Sequence, residues 1–240
     1  MIFNEIKVTI DKVYKFPTIA QLTTEQFVRL SLLLKQEKTR DNEIIAELLN
    51  CNLHIIEELD FAEFRKLQIL AENLLLSPAS PLDYEINFWQ LSSYPYGQFA
   101  DWIHICKSFN FDERSIPYSI AYLRPNTSFK QRNEIYLSWA NKLPACVSIY
   151  YHARMIEELT TLQATFGMTS SEPTDIELKA GFEHLAKYGE YLTIFELTKG
   201  DILKLEKVSK MSVAEVLTYL KAGKDIATYK NEIKVLSNGI

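Results

Sequence analysis

The chain is poor in glycine, with seven in 240 residues. A doubly wound α/β enzyme places glycine in its tight turns and phosphate loops, so this supply favours helices over a parallel sheet. No GxxxxGK[ST], GxGxxG or GxSxG stretch occurs, which removes the sequence signatures of a phosphate cradle and of a nucleophile elbow. Cysteine is scarce and dispersed: Cys51, Cys106 and Cys146 form no CxxC pair. Such a set suits buried thiols in a reducing compartment better than a disulfide framework. No stretch approaches a membrane span, and the opening "MIFNEIKVTIDKVYKFP" alternates charged and apolar residues where a signal peptide would have an apolar core. A cytoplasmic protein is expected. Positive charge is not in excess either, with 26 Lys and Arg against 31 Asp and Glu and a net charge of -5. Neither a nucleic-acid tail nor a basic membrane surface is suggested.

Apolar and aromatic side chains are plentiful. Thirteen Phe, thirteen Tyr and three Trp stand in a chain that is 47% hydrophobic, enough to offset the ordering entropy of a folded core. The length suits one large or two modest domains.

The patterning predicts an all-α fold with a small N-terminal β-hairpin. In "EIKVTIDKVYKFP", Ile6, Val8 and Ile10 alternate on one arm and Val13, Tyr14 and Phe16 populate the other, with Asp11-Lys12 at the turn. Thr23 and Gln26 have capping-box spacing ahead of "FVRLSLLL". Asp41 opens a second helix and Asp60 a third, with Phe61, Phe64, Leu67, Ile69, Leu70 and Leu74 at helical spacing. The proline-broken "SPASPLDYEINFWQLSS" reads as the main boundary. The expected organisation is a hairpin over 1–18, a helical subdomain over 19–76, a linker over 77–95 and a second helical subdomain over 96–240. Pro117 and Pro144 fit first turns of helices, and the chain closes in a helical hairpin around Met211.

One stretch mixes an acid, a histidine and a cysteine: Asp101, His104 and Cys106 in "YGQFADWIHICKSFN". A Cys–His dyad needs hydrogen-bond reach and an orienting group. Residues two apart on a helix do not face each other, so the pattern reads as an acid in a first helical turn with Trp102, Ile103, Ile105 and Phe109 buried around it. His54, His104, His152 and His184 lack HExxH spacing and read as partly exposed helix residues, although folding could still bring ligands together. The pairs Glu57-Glu58 and Glu157-Glu158 read as solvated helix faces. "DILKLEKVSKMSVAEVLTYLKAGK" imitates a helix-turn-helix with Lys204, Lys207, Lys210 and Lys221 nearby. Its second helix offers almost no Arg, Asn or Gln to read base edges, and a plain helical hairpin fits better.

Four segments in order carry a family resemblance: "YKFP" leading into "LTTEQFVRL"; "IIAELLNCNLHIIEELDFAEFRKL"; "YGQFADW" followed by "IPYSIAYLRP"; and "KYGEYLTIFELTKGDILKLEKVSKMSVAEVLTYL". Together they make the chain resemble tailed-bacteriophage morphogenesis proteins of Bacteroidetes phages, of the tail assembly chaperone or T4-type baseplate assembly kind. The signature positions it points to are Tyr96, Gly97, Gln98, Asp101, Arg124, Pro125, Gly189, Gly200, Asp201 and Lys204. The chain departs from the pattern at Leu123-Arg124, where an aromatic often intervenes, and at Glu190, where an aromatic is frequent. The resemblance implies a non-enzymatic protein with no catalytic residues, metal or cofactor. Its partners would be other tail, baseplate or connector proteins, or further copies in a ring, and not a small molecule, membrane or nucleic acid. It would act as an assembly chaperone in the host cytoplasm, or as a ring or connector subunit kept in the virion. Tyr150, Tyr151, Tyr219 and Tyr229 are the candidate exposed aromatics for such contacts. A DNA-binding regulator, and a hydrolase in which Asp101, His104 or another cluster converges in a pocket, are the rival classes.

Overall fold

Thr23 starts the first helix as its spacing predicts: its hydroxyl accepts from the Gln26 N–H at 3.2 Å while Gln26 Oε1 accepts from the Thr23 N–H at 3.0 Å. This reciprocal cap satisfies two donors that a helix start leaves open. Asn52 and Asp60 cap the third and fourth helices with their side chains, accepting from the backbone of His54 and Glu63. The structure, a computed structural model, describes residues 5–9, 12–15, 21–36, 41–49, 51–75, 90–124, 127–167 and 175–238. Its helices are α1 (Thr24–Leu34), α2 (Asp41–Leu49), α3 (Leu53–Glu57), α4 (Phe61–Leu75), α5 (Tyr96–Ser108), α6 (Ile116–Tyr122), α7 (Leu137–Ala140), α8 (Ala145–Phe166), α9 (Asp175–Lys179), α10 (Phe182–Ala186), α11 (Glu190–Thr198), α12 (Ile202–Lys210) and α13 (Val213–Asn238). A π-helical turn, Gln131–Tyr136, leads into α7.

The fold is therefore helical. The expected hairpin is not part of what is established: Ile10 of its first arm, Asp11 of its turn and its end at Phe16-Pro17 lie outside the described residues. Only two short extended stretches, Glu5–Thr9 and Lys12–Lys15, are placed there, antiparallel and with an irregular register between Lys7 and Thr9.

By contacts the chain divides into two units that interleave in sequence, where the patterning predicts contiguous ones. The first comprises Met1–Ile86, Phe109–Ala121 and Lys130–Ala153; the second comprises Asn87–Ser108, Tyr122–Phe129 and Arg154–Ile240. Residues 77–89 of the expected linker lie outside the described residues.

In the first unit, the apolar faces of α1, α2 and α4 close on Leu30, Ile45, Leu48, Ile56 and Leu67, with Phe27 and Phe64 packed at the margin. Burying side chains of this size contributes about 1.5–3 kcal/mol each, enough to make the face opposite their charged residues the inner one. Thr24 ties the start of α1 to the turn before α8, its N–H donating to Leu143 O at 2.8 Å and its hydroxyl lying 2.6 Å from Ser148 Oγ.

In the second unit, α5 is the central element and packs against α11, α12 and α13. Phe99, Trp102 and Ile103 are buried along it, with Tyr96, Phe99 and Trp102 forming a run of tilted rings. A short antiparallel bridge joins the starts of α5 and α13: the Tyr96 N–H donates to Met211 O at 2.7 Å and the Val213 N–H to Tyr94 O at 2.9 Å.

Candidate functional site

The sequence directs attention first to α5. Of its three chemically suggestive side chains, Asp101 and His104 share one face of the helix and Cys106 points away from it. Cys106 is fully buried. Asp101 Oδ1 accepts a hydrogen bond from the Tyr191 hydroxyl at 2.5 Å, and the exposed His104 ring meets Tyr191 edge-on at 5.7 Å. A thiolate nucleophile must be reachable by substrate and by its base, and Cys106 is neither. Tyr191 thus uses Asp101 and His104 to fasten α11 to α5.

Most of the signature positions serve the same packing. A Cβ at Gly97 would lie 2.9 Å from Ser209 Cβ, so only glycine lets α12 approach α5 this closely. Gln98 is buried and its amide donates to the Tyr122 and Arg124 carbonyls at 2.8 and 2.9 Å, satisfying acceptors that the end of α6 leaves open. Arg124 also accepts from the Thr127 hydroxyl through its carbonyl, at 3.1 Å. Gly189 precedes α11 at positive φ. Gly200, at φ +74°, turns the chain between α11 and α12, with the Phe195 ring 3.3 Å from where a Cβ would stand. Asp201 then caps α12, accepting from the Leu203 N–H at 3.0 Å, and Lys204 pairs back to it at 3.0 Å. Pro125 lies outside the described residues.

Tyr94 and Tyr96 face inward, each 1% exposed. The Tyr94 hydroxyl donates to Leu123 O at 3.1 Å; burial, and secondarily the Glu158 carboxylate, raise its pKa. Burial pushes the Tyr96 phenol up to about 12, opposed by a hydrogen bond to Thr193 and aided by Glu190. Glu190 itself bonds Lys107 at 2.5 Å, and its Oε2 is buried with no hydrogen-bond partner among the described residues. An acid can thus stand where the resemblance favours an aromatic, because α5 supplies a lysine.

The acidic pairs and histidines split. Glu57, Glu58 and Glu157 are exposed as expected. Glu158 is half-buried and accepts from the Leu91 N–H at 2.7 Å, anchoring the turn before α5. His54, His104 and His184 are exposed. His152 is half-buried, in line with the expected partial exposure; desolvation drives its pKa down to about 4 despite Glu113, and its Nδ1 lies 2.7 Å from Ser119 Oγ. The Ser119 hydroxyl also lies 3.3 Å from Ser115 O. This serine–histidine pair joins α6 to α8, residues the sequence keeps far apart. Ser119 is 0% exposed, so the pair stabilises packing and offers no reachable nucleophile. Among the described residues no three His, Cys, Asp or Glu come together as a metal-ligand set, and no helix is long and apolar enough to cross a membrane. A shallow groove beside the π turn is lined by Glu25, Asn133, Glu134, Ser138, Asn141 and Lys142, and none of the groups above lines it.

The lysines of the helix-turn-helix-like segment are partly committed: Lys204 to Asp201 and Lys210 to Glu206 at 2.6 Å. Its second helix buries Val213, Val216 and Leu217 in its opening turns, the part that a recognition helix would present to bases.

What the second unit does offer is apolar surface. Phe195, Ile202, Leu203, Tyr219, Tyr229 and Leu236 all stand exposed on α11, α12 and α13. Of the four candidate tyrosines, Tyr150, Tyr219 and Tyr229 are exposed, whereas Tyr151 is buried with its ring edge against Tyr150. No protein-family model, curated protein or solved structure matches this chain.

Proposed function

We propose that the chain is a non-enzymatic morphogenesis protein of a tailed phage, acting in tail or baseplate assembly through protein–protein contacts. The observation that carries the reading is the apolar surface of α11, α12 and α13, where Leu203 is 88% and Ile202 74% exposed. Large apolar side chains this exposed, several to a helix, are what a contact surface for other chains would present. The class of partner, tail, baseplate or connector proteins, rests on the resemblance of the four quoted segments. In this reading the first residues form a β-hairpin ahead of α1, and the protein works in the host cytoplasm.

The alternative form is a ring or connector subunit that stays in the virion. Genes for portal, capsid or tail-tape proteins flanking this one support the reading, and a neighbourhood of metabolic or regulatory genes overturns it. Mass spectrometry of purified particles separates the two forms. A chaperone is absent from them, and a ring subunit is present in stoichiometric amount.

A further inference from the structure

The second half of α13 is exposed on every side from residue 221 to 237. In water a single helix of that length is marginal unless an apolar face is covered. Such a face exists. Tyr219, Ala222, Ile226, Tyr229, Ile233 and Leu236 follow one another at alternating steps of three and four, the a and d spacing of a helical pair. The large members are 67% (Tyr219), 54% (Ile226), 63% (Tyr229), 45% (Ile233) and 70% (Leu236) exposed. At about 100° per residue, this stripe lies on the side of α13 opposite Val213, Val216 and Leu217, which are buried in the second unit. The side that roots the helix is therefore not the side that carries the stripe.

We propose that this stripe is an interface with a second copy of the chain, the two α13 helices running parallel and in register. Identity and orientation of the partner follow from the flanking charges. With Ile226 and Ile233 at a, Asp225 and Glu232 occupy g and Lys230 occupies e. A parallel pair sets each Asp225 against Lys230 of the other copy, on both flanks. An antiparallel pair sets g against g and gathers the four carboxylates of Asp225 and Glu232 on one flank, which repels. β-Branched isoleucine at two successive a positions, with Leu236 at d, also favours two strands over three or four. The outermost f positions of the same helix, Lys224 and Asn231, are polar, while Val235, at c, is an apolar exception that is 73% exposed. The stripe spans under three heptads, so the pair forms reversibly, with a dissociation constant on the order of micromolar. The inference goes beyond the reading of the protein as an assembly factor and does not depend on it.

Sedimentation equilibrium of the full chain from low to high micromolar concentration tests it. The expected mass rises from monomer to dimer. In Ile226→Lys/Ile233→Lys the dissociation constant rises at least about tenfold, with the monomer's helix content and melting temperature unchanged, because both side chains are exposed in the monomer. Lys230→Glu alone weakens the dimer, and combining it with Asp225→Lys restores it. A strict monomer at every concentration overturns the proposal, as does a dimer indifferent to the isoleucine changes. A trimer or larger ring, or a charge exchange that fails to restore association, overturns the two-copy parallel register. A monomeric chain that loses stability on the isoleucine changes places the stripe against its own fold and also overturns it.

Discussion

His152 makes the stability of the first unit depend on pH in a window set by its burial. In the unfolded chain the imidazole titrates near 6.5, and in the folded protein desolvation holds it near 4. Between these values the unfolded chain binds the proton and the folded one does not. The contribution is therefore fully present above the unfolded pKa and is lost as pH falls from 6.5 toward 4. Integrated over the window it amounts to about 3 kcal/mol, of which about 2 kcal/mol is gone by pH 5. Glu113 acts against the shift and Ser119 ties the ring in place. Urea unfolding at pH 7.5 and pH 5.0, for the wild type and for His152→Gln, isolates the effect, because the other titrating groups are common to both. The wild type should lose about 2 kcal/mol more than the variant between the two pH values. The imidazole proton resonances should also titrate near 4 in the folded protein. Equal losses in both proteins, or a native titration near 6.5, would refute the desolvated placement of His152.

Three further substitutions probe the packing of α5 and the start of α12. Gly97→Val introduces carbon at a position where a Cβ would stand 2.9 Å from Ser209 Cβ; thermal or urea unfolding should register a loss of about 1–3 kcal/mol, and an unchanged midpoint would refute the close approach of α12. Asp201→Ala removes the cap of α12 and the partner of Lys204. It should cost about 1 kcal/mol by the same measurement, while Lys204→Ala, which leaves the cap intact, should cost a few tenths at most.

The helical fold was legible because its signals are local. The Thr23–Gln26 box, the acids at Asp41 and Asp60 and the prolines at 117 and 144 each mark a helix start without reference to the rest of the chain. The burial of Trp102 and Ile103, and the pointing of Cys106 away from His104, followed from helical geometry alone. Other features depend on residues distant in sequence. Nothing local marks His152 as the partner of Ser119, Glu158 as the acceptor for Leu91, or Gly97 as the seat of Ser209. The π turn over Gln131–Tyr136 has no signature in "QRNEIY". Interleaved units arise because residues 109–121 and 130–153 group with the N-terminal helices, a pairing that composition does not encode. The stripe on α13 was readable in principle. Its three-and-four spacing begins while the opposite side of the helix is still buried, and the two patterns overlap in the sequence and mask each other.

The proposal that this chain assembles phage tails through protein contacts is tested most directly by deleting its gene from the genome that carries it, inducing particle production and imaging the resulting lysates by electron microscopy. Filled or empty heads with absent or incomplete tails are the predicted result, reversed when the intact gene is supplied in trans. Complete, infective particles formed at normal yield without the gene would contradict it.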